Sequence, residues 1–212
     1  MTSNREPSIE LQRQIDDSIT ARNRSSGTIT APTSTSGGAS LPRTGNNAAE
    51  VGHDTAVEAG VPPQGSKFEY LDHPADVVLH AWGIDLPEAL ANLAVCMFGY
   101  MTCLDSITID ATQSSEHGTS LTGQGHDLKS LIYSYLDEWL FNFHDTGFVP
   151  KEIEISEFRR EVDDWRIVSS GKGEIMDISR HPQGTEVKAI TYSGMRVEEN
   201  HGRCDVFVVV DI

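Results

Sequence analysis

Three carboxylates stand at expected strand ends. Asp76 follows the turn Asp72-His73-Pro74-Ala75, Asp211 follows the apolar run Cys204 to Val210, and Ile212 brings the terminal carboxylate. Carboxylate oxygens suit hard cations, Ca²⁺ or another such as Mg²⁺ or Mn²⁺. If the two strands are neighbours, Asp76, Asp211 and Ile212 form a carboxylate metal site. Three groups fall short of the roughly six to eight oxygens that Ca²⁺ prefers, so water or a partner must complete the shell. The plainer reading is that Asp76 caps a turn and Asp211 keeps a sheet edge soluble. Asp72, His73 and Lys188 are the candidate supporting residues. Lys188 lies in the stretch His181 to Thr191 among apolar neighbours, where it pairs with an acid or with a ligand phosphate.

Other chemistry has weaker support. His73 suits a hydrogen bond within its turn, and His80, alternating with apolar residues, suits a satisfied core histidine. No HExxH or CxxC pattern supports zinc. Asp137 and Glu138 read as a solvated helix face. Ser169-Ser170-Gly171-Lys172-Gly173 lacks the Walker spacing and a following helix, so it reads as a hairpin turn. The odd set of three cysteines, Cys96, Cys103 and Cys204, reads as reduced packing residues. An independent metal-dependent hydrolase or phosphotransferase, with His73 or Lys188 as acid–base, is the alternative function.

The elements that must position these groups follow from periodicity. Phe68–Leu71 and Asp76–Trp82 alternate as strands, with Val77, Leu79 and Ala81 on one face. Asp85-Leu86-Pro87-Glu88 starts a helix through about Tyr100. Ser106–Asp110 alternates as a strand, and Ala111–Thr119 is a polar loop. Asp127 starts a second helix, ended by Gly147 and Pro150. Strands then follow near Ile153–Phe158, Trp165–Val168, Thr185–Tyr192 and Cys204–Val210. The pattern predicts an α+β domain over residues 66–212, with a mostly antiparallel or mixed β-sheet packed with two α-helices. Residues 1–65 hold no Phe, Tyr or Trp and are rich in Ser, Thr, Gly and Pro, which predicts a disordered N-terminal extension.

The net charge of −16 disfavours direct RNA binding and favours cations or a basic protein partner. No secretory leader or membrane-length apolar run is visible, and acids among Arg13, Arg22 and Arg24 argue against a mitochondrial presequence. A cytoplasmic or nuclear location is expected, not a secreted or membrane one.

The stretches Tyr70–Asp76 with Leu79–Gly83, Met97–Met101, Leu136–Leu140, His181–Tyr192 and Asp211-Ile212, in order and spanning essentially residues 67–212, resemble the archease family. That resemblance implies a small α+β domain and a protein cofactor of the 3′-phosphate tRNA-splicing RNA ligase, not an enzyme acting alone. The family's members promote guanylylation of the ligase and its multiple turnover in tRNA splicing. GTP and tRNA would then be met only through the ligase. The family's metal ligands carry over onto Asp76, Asp211 and Ile212, with Ca²⁺ the usual ion. Pro74 stands where the family's His-Thr-Ala-Asp pattern has Thr, and Ala111–Thr119 is longer than typical.

Overall fold

Strands β1 (Phe68–His73) and β2 (Asp76–Gly83) form the antiparallel hairpin that alternation predicts, and β2 pairs in turn with the C-terminal strand β8 (Arg203–Asp211). The computed structural model describes residues 59–74, 76–162 and 164–212. The expectation of disorder over residues 1–65 falls mostly on residues outside that range. A five-stranded antiparallel sheet is completed by β6 (Ala189–Ile190) and β7 (Arg196–Asn200), both paired to β8. Val77, Leu79, Ala81, Val206, Val208 and Val210 point to one side and are buried. Side-chain alternation makes that side the core face, and it lies against helix α1 (Leu86–Met101). Asp85 caps α1 by accepting from Glu88 N at 2.9 Å, as its position before Leu86-Pro87-Glu88 predicts.

A second sheet has the order β3 (Leu121–Gly125), β5 (Asp164–Ile175), β4 (Phe148–Glu161). Helix α3 (Leu128–Thr146) packs on β3, while α1 also touches β4. The two sheets and two long helices therefore share one core, where Phe98 meets Trp139 and Phe143 edge-on at 6.3 and 6.0 Å. Trp139 Nε1–H donates to Ser169 Oγ at 3.1 Å, which satisfies its polar atom inside that core. Gly147 ends α3 in the left-handed region at φ 75°, as a glycine stop should.

Several local expectations change. Ala111–His117 is a third helix, α2, capped by Asp110, because that side chain accepts from Gln113 N. Ser106–Asp110 joins no ladder: a 3-10 turn spans Leu104–Ser106, and Thr108 N–H is taken by the Glu174 side chain instead. Ser169–Gly173 is not a hairpin turn but the middle of β5. Its glycines admit close neighbours, since a Cβ on Gly171 would lie 2.7 Å from the Trp139 ring. Of the strand predicted over Thr185–Tyr192, only Ala189–Ile190 is in a strand. No helix among the described residues is long and apolar enough to cross a membrane.

Candidate functional site

The β2–β8 register converts two distant acids into neighbours. Val77 faces Val210, and one step further along the same ladder places Asp76 opposite Asp211. Ala189 pairs with Asp211 on its other side, and Lys188 N–H donates to Asp211 O at 2.9 Å. The β1–β2 hairpin sets His73 opposite Asp76 and brings its Nδ1 to 3.4 Å from Asp76 Oδ2. One end of the first sheet thus gathers Asp72, His73, Asp76, Lys188, Asp211 and Ile212.

Alternation divides this group. His73, Asp76 and Asp211 occupy the outer face of the sheet, whereas Asp72, opposite Val77, belongs to the helix-covered face. Lys188 lies just before β6, outside its two-residue ladder, with Val187 buried beside it. Lys188 is exposed and has no carboxylate oxygen within 4.0 Å among the described residues, so the expected acid–lysine salt bridge is not formed. Only the Lys188 backbone is held to the chain's last residues, through its N–H to Asp211 O.

The donor chemistry fits a hard cation in part. Asp76 and Asp211 offer carboxylates from adjacent strands, and the Ile212 terminus is the next group along. Among the described residues no group of three or more His, Cys, Asp or Glu is placed to hold a metal ion. An ion held here would draw further oxygens from water or a partner.

Up the same outer face lies a polar ladder that sequence reasoning did not assemble. His80 Nδ1 is 2.8 Å from Glu69 Oε1 and Nε2 is 2.9 Å from Asp205 Oδ1. Both partners can only accept, so each ring nitrogen meets an acceptor. The His80 ring stacks on Phe207 at 4.0 Å, and the Arg196 guanidinium covers Phe207 at 3.6 Å. The Asp205 carboxyl is held at about 2, first by the Arg203 guanidinium and also by His80, against the opposing effect of burial. His80 is therefore a satisfied histidine and not a transition-metal ligand, as its alternation with apolar residues suggests. The available signal for Asp205 was a lone acid inside the apolar run Cys204–Val210.

Glu174 was also missed. Though buried, its carboxylate accepts from Thr108 N and Oγ1 at 2.6 and 2.8 Å and from Arg180 Nη2 at 2.8 Å. His181 Nε2 lies 3.3 Å from Glu174 Oε1, poorly aligned for a hydrogen bond, while Asp177 N–H donates to His181 Nδ1 at 2.9 Å. Burial alone would raise the Glu174 carboxyl, but the Arg180 and Thr108 donors together outweigh it and hold it at about 2. Its sequence offered no cue, because the acid sits at the end of what reads as a turn. Asp137 and Glu138 are exposed on α3, and the three cysteines are buried and unpaired.

Residues 68–212 match the archease protein family. "Protein archease" of Danio rerio is 44% identical over 158 residues, covering 74% of this chain and 92% of the relative. "Protein archease-like" of Dictyostelium discoideum is 44% identical over 145 residues, covering 68% and 93% respectively. The solution structure of Methanobacterium thermoautotrophicum protein 1598 superposes with a TM-score of 0.57 at 26% identity. It covers 69% of this chain and 99% of that one.

Proposed function

The chain belongs to the archease family, and on that premise we propose that it serves as the protein activator of a 3′-phosphate tRNA-splicing RNA ligase. In this reading it promotes guanylylation of the ligase and lets it turn over repeatedly during tRNA exon ligation. It acts as a cofactor protein and not as an enzyme by itself. The observation that carries the reading is the strand register that sets Asp76 against Asp211, with Lys188 hydrogen-bonded through its backbone to the same residue. Asp76, Asp211 and the terminal carboxylate of Ile212 would hold a hard cation, Ca²⁺ or else Mg²⁺ or Mn²⁺. Such an ion supplies positive charge to phosphate oxygens at the ligase's nucleotide site.

The chain's own residues have separable parts. The two aspartates bind, and His73 orients Asp76 from across the hairpin. Lys188, with no carboxylate partner among the described residues, offers its donors to a phosphate oxygen. Completion of the ion's shell by the ligase would make the site competent only in the complex. The charge of −16 leaves RNA contact to the ligase and favours a basic surface on that partner.

The test is ligation of a 3′-phosphate RNA to a 5′-hydroxyl RNA by limiting ligase with GTP and Mn²⁺. Multiple turnovers with the unaltered chain, and single turnover with folded Asp76→Ala, are expected. Equal stimulation by both would remove the carboxylates from the mechanism. Stimulation by neither, with phosphate-ester turnover by the isolated chain, would favour a hydrolase or phosphotransferase.

A further inference from the structure

Helix α1 ends without the usual left-handed glycine. Its C-cap, Thr102, is extended at φ −152° and ψ 170°, so the last-turn carbonyls need donors from elsewhere. A segment eighty residues downstream supplies them: Gly184 N–H donates to Met101 O at 2.8 Å and Thr185 N–H to Tyr100 O at 3.2 Å. In return Thr102 Oγ1–H donates to Pro182 O at 2.7 Å. The approach needs glycine, because a Cβ on Gly184 would stand 2.1 Å from Tyr100 O and 2.9 Å from Met101 C. The same segment leads through buried Val187 into Lys188.

The strand that follows cannot hold Lys188 by itself. Its ladder contains only Ala189 and Ile190, flanked by a hydrogen bond from Lys188 N on one side and by bonds from Thr191 N and Oγ1 to Val209 O on the other. A two-residue strand is far below the usual length and fixes little alone. Upstream of it, the nearest backbone anchors are those at Gly184 and Thr185 on the helix end.

We infer that Gly184 and Thr102 are positioning residues for Lys188: they tie the His181–Thr185 strap to the open carbonyls of α1, and the helix end thereby sets where Lys188 stands beside Asp211. This rests on the reading that Lys188 takes part in ligase stimulation. A Cβ at Gly184 lifts the strap from the helix and displaces Lys188 while leaving Asp76 and Asp211 in their ladder. Thr102→Val keeps the shape and deletes one hydrogen bond, giving a milder version with little risk to the fold.

The experiment joins two readouts on full-length chain. The first follows the Lys188 side-chain NMR signal, assigned through Lys188→Arg. It should shift in Gly184→Ala and Thr102→Val while the signals of Lys129 and Lys172 hold still. The second is a double-mutant cycle on ligase stimulation. Gly184→Ala is expected to lose about tenfold or more, as sub-ångström to ångström misplacement does. Gly184→Ala with Lys188→Ala should then be no worse than Lys188→Ala alone. An unmoved Lys188 signal, or losses that multiply in the double variant, would overturn the inference. Full stimulation by Lys188→Ala would instead remove the underlying role of the lysine, an outcome the NMR signal separates from failure of the strap.

Discussion

Replacing Glu174 by Gln tests whether one buried carboxylate ties the β5 end to the segment that follows it. Glu174 is 4% exposed, and its carboxyl is held at about 2 against an ordinary 4.5. A difference of that size corresponds to about 3 kcal/mol of folded-state stabilisation at neutral pH. Gln keeps an acceptor for Thr108 but turns an amide donor or a neutral oxygen toward Arg180, so that stabilisation is lost. The folded value lies below the unfolded one, so the contribution is complete above the unfolded value and fades as pH falls toward the folded one. The gap in unfolding free energy should therefore be about 3 kcal/mol near neutrality and shrink to about 1 kcal/mol at about pH 3. Urea denaturation followed by tryptophan fluorescence at the two pH values reads both numbers. A gap that is the same at both, or below about 1 kcal/mol near neutrality, would refute the electrostatic account and leave only packing.

Three further outcomes follow from the outer face, the helix end and the chain end. His80→Ala removes the ring stacked on Phe207 and strips partners from Asp205 and Glu69; it should cost roughly 2–3 kcal/mol in chemical denaturation, with loss of cooperativity unexpected. Gly147→Ala forces a side chain into the left-handed stop of α3, and should cost about 1–2 kcal/mol, read as a lower Tm. On the proposed metal reading, in which the Ile212 carboxylate joins Asp76 and Asp211, appending two glycines after Ile212 withdraws that third group. Calorimetric titration with Ca²⁺ or Mn²⁺ should then show affinity weakened roughly tenfold or more, whereas unchanged affinity would confine the site to the two aspartates.

Much of this was legible from local physics. Alternation around Leu79 and the continuous apolar run Cys204–Val210 identified the central strands, and Asp85 and Asp127 marked two helix starts because a capping side chain acts within three residues. The acids Asp76 and Asp211 were visible as strand-end carboxylates, and the archease resemblance ran through the same residues. The misreadings arose where backbone groups find partners far away. Ser106–Asp110 alternates like a strand, yet Glu174 takes its Thr108 donor; Thr185–Tyr192 alternates too, yet α1 takes the Thr185 donor. Glycines in Ser169–Gly173 signal a turn, but here they make room for Trp139.

By itself, then, the sequence determined the α+β class, the central hydrophobic strands, the main helices and the identity of the candidate ligands, since each depends on contacts within a few residues. Only the tertiary structure decided that Asp76 faces Asp211, that Asp72 turns to the other side, that His80 lies between two acids, and that Lys188 carries no salt bridge among the described residues. The Asp76–Asp211 and His80–Asp205 pairings depend on register between segments more than a hundred residues apart, while the β1–β2 hairpin sets Asp72 and Glu69. A shift of one residue would send every side chain of a strand to the opposite face, and no local pattern specifies it.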